Sequence, residues 1–193
     1  VALILQGPTQ EKLRNHYERQ LSDLRVQLSS HSLAVTVKTE SASTASDIHV
    51  CLGGDGIYSM LDLPFAIQLM QVQKADMVVG SRVLKRAQFQ ESLDAAYKLH
   101  PILQRLAKLG AFTASLIFSL RFGQFMSDPL SDWILTKPSS SKSTLALERL
   151  IQAARAGNTI LEIPIHYQRA ALSGTSQDRF WTGVKKLWTI IFR

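Results

Sequence analysis

Short apolar runs alternate with amphipathic stretches along the chain, and that alternation predicts its elements in order. Val1–Leu5 and Leu33–Val37 read as strands. Between them Thr9 suits the N-cap of a helix reaching about Leu28, with Leu13, Tyr17, Leu21, Leu24 and Leu28 on one face and Glu11, Arg14, Glu18, Arg19 and Asp23 on the other. Asp47–Leu52 is a third strand, stopped by Gly53-Gly54-Asp55-Gly56. A helix follows, with Leu61, Phe65, Leu69 and Val72 at helical spacing and Ile67 and Met70 beside them. Ala75–Val79 is a fourth strand, closed by Gly80-Ser81-Arg82. Strand, helix, strand in so short a stretch is the βαβ unit of a parallel sheet.

Beyond Arg82 the period fades, and Val83–Ser92 reads as a polar, basic loop. Leu93–Phe122 suits a helix pair or one bent helix, with Pro101 marking a start and Leu103, Leu106, Ala107, Gly110, Ala114 and Ile117 as the inner stripe. Asp128-Pro129-Leu130-Ser131-Asp132-Trp133 is an acidic turn leading into Ile134-Leu135-Thr136. After a loop at Pro138–Ser141, Ser143–Ala156 is helical, with Leu147, Leu150, Ile151 and Ala154 inward and Gly157 past its end. Thr159–Tyr167 is a strand interrupted by Pro164, which places it at a sheet edge or on a bulge. Arg169–Gln177 is loop, and Arg179–Phe192 closes the chain as a helix. The expected fold is a single α/β domain of three layers around a mostly parallel sheet.

A chain of 193 residues is long enough for one full hydrophobic core. Its net charge of +7 favours anionic partners. The lone Cys51 excludes an internal disulfide and lies in a predicted strand, as a buried, inert thiol would. The five histidines show no ligand spacing, and no Walker A, zinc or Gly-x-Ser-x-Gly pattern is present. Basic residues are not interleaved with aromatics, which argues against a nucleic-acid partner. No signal peptide opens the sequence and no apolar run reaches the ~18–20 residues of a bilayer span, so the chain is expected to be soluble or peripheral to a membrane, and its lone cysteine suits a cytoplasmic setting, at the cytoplasmic face if it is peripheral.

The candidate chemistry lies where strands end, because ligands of parallel sheets sit at carboxyl ends. Asp55 among three glycines suits a ligand of Mg²⁺ or Mn²⁺ on a diphosphate, or else caps a tight turn. Arg82 suits a phosphate clamp, or is a surface arginine after a turn. Asp128, Ser131 and Asp132 offer a carboxylate base, or form a solvated turn. Arg169, Ser173, Ser176 and Gln177 fit a lid over an anion, or an ordinary loop. From Arg169 onward five basic residues face one acid, and Phe180, Val184, Leu187, Trp188 and Ile191 share a helical face with Trp181 beside it. With Lys185, Lys186 and Arg193 flanking its tryptophans, that face suits a membrane interface, or else it packs on the domain's own core.

Four segments together resemble family 2 glycosyltransferases of the dolichyl- or polyprenyl-phosphate mannosyl/glucosyl type. Asp55–Pro64 (DGIYSMLDLP) resembles the end of the Asp-x-Asp strand and the helix start after it. Ala75–Arg82 (ADMVVGSR) resembles the strand ending in Gly-Ser-Arg, and Asp128–Trp133 (DPLSDW) the Asp-Pro-Met-Ser-Gly-Phe segment. Glu162–Gln177 is similar to the Glu-Val-Pro-x-x-Tyr-x-x-Arg, Gly-x-Ser-Lys ending. The resemblance runs from about Asp47 to the C-terminus.

It implies a GT-A, Rossmann-like fold, a nucleotide-sugar donor (GDP-mannose or UDP-glucose), a polyprenyl or dolichyl phosphate acceptor at the membrane surface, and Mg²⁺ or Mn²⁺ at Asp55. Arg82 and Asp128 would line the reaction centre. Pro8, Glu11, Gly53, Gly54, Ser81 and Ser131 would contact substrate, and Arg169, Ser176 and Gln177 would belong to a mobile phosphate-binding loop.

The sequence departs from the pattern at Gly53, Asp132 and Gln177, where the family has Asp, Gly and Lys. The Pro-Thr-Tyr-Asn-Glu motif is reduced to Pro8-Thr9-Gln10-Glu11, and a second acidic motif is absent. These departures leave open a degenerate relative that binds nucleotide or membrane without turnover. Residues 1–60 also resemble the start of NAD and diacylglycerol kinases, whose Gly-Gly-Asp-Gly-Thr turn meets ATP phosphates, with Ile57 here in place of Thr.

Overall fold

The computed structural model describes residues 2–6, 20, 22, 36–38, 48–53, 58–97, 100–137, 145–166 and 176–192. Six strands form one sheet: β1 (Ala2–Gln6), β2 (Thr36–Lys38), β3 (His49–Gly53), β4 (Met77–Ser81), β5 (Ile134–Thr136) and β6 (Ile160–Pro164), in the order β2-β1-β3-β5-β4-β6. The helices are α1 (Leu63–Val72), α2 (Arg86–Tyr97), α3 (Pro101–Phe122), α4 (Ala146–Arg155) and α5 (Ser176–Phe192). Of the helix expected after Thr9, only Gln20 and Ser22 lie within the described residues, and both are helical.

The chain is mixed α/β, and its sheet is mixed too. β1 pairs parallel with β2 and β3, and β4 with β6, but β5 runs antiparallel to both β3 and β4. Within β3, β5, β4 and β6, two of the three pairings are therefore antiparallel. The reversal has a consequence for the site. The register Cys51↔Ile134↔Val79 sets the start of β5 beside the carboxyl ends of β3 and β4.

The inner strands are buried on both faces, which explains their unbroken apolar runs. Val50, Leu52, Val78 and Leu135 pack against Leu63, Ala66, Ile67 and Met70 of α1. Cys51, Met77, Val79 and Ile134 point the other way, onto Ala114 and Phe118 of α3, the inner face of α4, and Ile190 of α5. β6 is an edge strand, as Pro164 predicts. Gly157 (φ 69°) and Gly123 (φ 66°) adopt the left-handed conformation just past α4 and α3.

Several expectations are corrected. β4 begins and ends two residues later than predicted, so Gly80 and Ser81 belong to the strand. Gly80 serves close packing rather than a turn, because a Cβ there would lie 2.6 Å from Ile165 and 2.8 Å from the Trp133 ring. Val83–Ser92 is not all loop, since α2 starts at Arg86 and packs against α3 and α5. Pro101 does open α3. Ser176 and Gln177 form the start of α5 rather than a loop.

The inner faces of two helices also differ from the predicted stripes. α1 buries Leu63, Ala66, Ile67 and Met70 and leaves Leu61, Phe65 and Val72 exposed. α3 buries Ala114 and Phe118 and exposes Leu106 of the predicted stripe, along with Ile102, Leu109, Phe112, Leu116 and Leu120. Both helices are apolar around most of their circumference, so periodicity alone does not choose the buried side.

Candidate functional site at the carboxyl edge of the sheet

One edge of the sheet gathers most of the described candidates. Gly53 ends β3 in register with Gln6, the end of β1, and Ser81 ends β4 opposite Pro164 of β6. The turn Asp128–Trp133 reaches the same edge because β5 is reversed. Five segments of the chain thus converge on one edge of the sheet.

At the centre, Asp128 grips Arg82. Arg82 Nε donates to Asp128 Oδ2 at 2.7 Å and Nη2 to Oδ1 at 2.9 Å, and the Arg82 backbone N–H adds a bond to Oδ2 at 3.2 Å. This is the bidentate fork that fixes a guanidinium plane. The Asp128 side chain is 1% exposed and that of Arg82 23%, so the pair runs from the interior to the rim. Burial pushes the Asp128 carboxyl up, but the Arg82 charge and hydrogen bonds, with the Lys186 charge, outweigh it and hold the pKa below the ordinary value. A carboxylate so held is a weak base, and its geometry suits positioning.

Glu162 supports this pair from β6. Its two carboxylate oxygens accept the backbone N–H groups of Ser127 and Asp128, each at 2.8 Å. Ser81 lies buried below, its hydroxyl bonded to that of Ser127 at 2.8 Å and accepting the N–H groups of Val83 and Leu84. Ser131 is buried as well and accepts the Trp133 N–H at 3.2 Å. Both serines, expected to contact substrate, bond the chain's own turns.

The outer parts of the edge are tied to their neighbours. Tyr58 Oη accepts the Asp132 N–H, and Trp133 Nε1 donates to Ser59 O, each at 3.2 Å. Asp62 accepts the His166 backbone N–H at 2.6 Å and pairs with its ring Nδ1 at 2.7 Å, fixing where the chain leaves β6. From α5, Lys186 Nζ meets Asp132 Oδ2 at 2.5 Å and Leu130 O at 3.0 Å.

No protein-family model matches the chain, and no curated protein matches it. Pro8, Glu11, Gly54, Asp55 and Arg169 lie outside the described residues, and of Gly53, Ser176 and Gln177 only the backbone placement is described.

A divalent metal is tested by the same geometry. Among the described residues no group of three or more His, Cys, Asp or Glu side chains could hold one. At this edge Asp128 and Glu162 are taken up by Arg82 and by backbone N–H groups, Asp132 by Lys186 and Asp62 by His166, so these carboxylates do not fit the role of metal ligands.

Sequence reasoning found Arg82 and Asp128 but not their mutual grip, nor the part played by Glu162 and Lys186. Glu162 had a signal. A carboxylate in the apolar strand Ile160–Pro164 needs hydrogen-bond partners.

Proposed function

We propose that the chain binds a nucleotide sugar at the carboxyl edge of its sheet and transfers the hexose to a polyprenyl or dolichyl phosphate at a membrane surface, as a GT-A-like, three-layer glycosyltransferase. The observation that carries this reading is the Arg82–Asp128 fork at a strand end, braced by Glu162. Such a fork presents a fixed cation where a diphosphate would lie, and its residues come from the Gly-Ser-Arg, Asp-Pro-Leu-Ser and Glu-Ile-Pro segments of the resemblance.

The reaction would be a single displacement. An oxygen of the acceptor phosphate forms the new bond to the sugar C1, the bond from C1 to the diphosphate oxygen breaks with its electron pair, and C1 inverts. The acceptor is already ionised at neutral pH, so no proton must be removed. Arg82 would stabilise charge on the departing diphosphate, and Asp128 would hold Arg82 in place. Asp55 remains the expected position for Mg²⁺ or Mn²⁺, and no step is assigned to it.

The membrane side of the reading rests on α3 and α5, which pack together. Along α3, Ile102, Leu106, Leu109, Leu116 and Leu120 form an exposed stripe, and Pro101–Phe122 contains three basic residues and no acid. On α5, Trp181, Trp188 and Phe192 are exposed. Apolar faces with Trp and basic residues suit the surface of an anionic bilayer. Among the described residues no helix is long and apolar enough to cross a membrane.

The test is a thermal-shift panel with GDP-mannose, UDP-glucose, ATP and NAD, each with and without Mn²⁺. One nucleotide sugar should stabilise the protein by about 2.7 kcal/mol at ~100 times its Kd. Transfer to a polyprenyl phosphate then separates an enzyme from a relative that only binds. Stabilisation by ATP or NAD alone would support the kinase-like reading of residues 1–60, and no response to any nucleotide would overturn the proposal.

A further inference from the structure

The two sides of α5 differ in a way that the site alone does not require. Trp181, Trp188 and Phe192 stand seven and four residues apart, which places them on one side of a helix. They are 61%, 63% and 60% exposed, and the Trp188 and Phe192 rings lie 4.1 Å apart. Lys186 and Ile190, four apart, share the opposite side. Ile190 is the one fully buried side chain among the described residues of α5. Beyond that the helix packs on α3 and α2, with Leu187 partly buried, Arg121 bonding the Ile190 and Ile191 carbonyls, and Lys186 on the Asp128–Trp133 turn.

A surface helix with one fully buried side chain among its described residues can open locally at less cost than the whole domain. Lys186 reaches Leu130 O and Asp132 Oδ2, two and four residues beyond Asp128. The far side of the same turn is bonded to Tyr58 through the Asp132 N–H. The turn that carries Asp128 is therefore held between Tyr58 and a surface helix. A surface that seats the aromatic side of α5 and the exposed stripe of the adjoining α3 at once would favour the docked helix and, through Lys186, the ordered turn.

We infer that Lys186 is a positioning residue through which an anionic lipid surface, seated against Trp181, Trp188 and Phe192, sets the turn that holds Asp128. The inference rests on the membrane side of the proposed function and not on its sugar chemistry. The charge of the region fits such a surface, since from Arg169 onward four basic residues besides Lys186 face one acid.

The experiment uses the full chain, phosphatidylcholine vesicles with and without phosphatidylglycerol, and no nucleotide. Binding is read from tryptophan emission. Ordering of the turn is read from hydrogen exchange at the Ser131, Asp132 and Trp133 amides, which donate to Asp128 O, Tyr58 Oη and Ser131 Oγ. Anionic vesicles should shift the emission to the blue and slow those amides several-fold in the native chain. Lys186→Gln should bind the same vesicles with the same emission shift but lose the slowing, and Lys186→Arg should restore it. Trp188→Ala should weaken vesicle binding and the slowing together.

Equal slowing in Lys186→Gln would overturn the role of Lys186. Vesicle binding without slowing in the native chain would overturn the coupling. A stable dimer in solution that shields the tryptophans, or no vesicle binding at all, would overturn the lipid surface as the partner. Since no sugar donor is involved, failure of the nucleotide panel leaves this result standing, and the reverse also holds.

Discussion

The two ends of β4 are closed by similar groups with different results. At the amino end Asp76 joins three strands: its Oδ2 accepts the Thr159 N–H at 3.1 Å beside β6, and its Oδ1 meets Lys137 Nζ at 3.2 Å beside β5. At the carboxyl end Arg82, Asp128 and Glu162 join the same three strands. Both aspartates have pKa values below the ordinary one. For Asp76 the backbone bond from Thr159 and the Lys137 bond are the main causes, and for Asp128 the Arg82 interactions overcome a large burial effect. The difference is water. The Lys137 and Asp76 side chains are 46% and 39% exposed, against 1% for Asp128. The exposed clamp ties strands together in a medium that screens it, while the buried clamp holds a guanidinium in one orientation at the rim.

The largest expected effect comes from breaking the buried clamp. Arg82→Met leaves the Asp128 carboxylate buried without its cation, and such losses cost about 3–5 kcal/mol. Urea denaturation of the variant and the native chain measures the cost directly. The pH dependence follows with its sign. The folded pKa of Asp128 lies below its unfolded value, so its charge stabilises the fold above the unfolded value of roughly 3.9 and that stability is lost as pH falls through the folded value. Melting curves of the native chain and of Asp128→Asn should differ most near neutrality and converge in acid. A constant gap at all pH values would mean that the pair adds nothing through its charge.

Next in size is Glu162→Gln. The amide can accept through only one oxygen and turns a donor toward a backbone N–H, leaving at least one of Ser127 and Asp128 without its acceptor. The expected loss is about 1–3 kcal/mol, with the nucleotide response lost as well because Asp128 shifts. A stable variant that keeps its full nucleotide response would show that Glu162 braces the strand and not the site.

The contrast between the two ends also shows what sequence could reveal. β3 and β4 are legible because they are buried on both faces, and the edge position of β6 is legible in Pro164. β4 was placed two residues early because Gly80-Ser81 resembles a turn, whereas the glycine admits Ile165 and Trp133. α2 was missed at its start because Val83–Ser92 carries no helical period, and contacts with α3 and α5 stabilise that helix instead. Within the site, Arg82 and Asp128 stood out singly, but 46 residues separate them, and only the reversed strand β5 reveals that they meet. Lys186 reads in the sequence as a membrane-interface cation beside the tryptophans, and its inward role is concealed for a related reason. Its partner lies 54 residues away, and the aromatic side of α5 dominates its pattern.

The smallest effect should come from the exposed clamp, and its smallness is the sharpest check on the comparison. Lys137→Ala removes the ammonium from Asp76 but leaves the Thr159 N–H bonded to the same carboxylate, so the junction of β4 with β6 survives. Exposed ion pairs contribute about 0–1 kcal/mol and fade with salt. The variant should therefore melt close to the native chain, with any difference shrinking in high salt. Arg82→Met should keep its deficit in the same high-salt buffer, because buried charges are poorly screened. If Lys137→Ala proved as damaging as Arg82→Met, burial would not be what separates the two ends of β4, and the case for a specialised carboxyl edge would lose its physical ground.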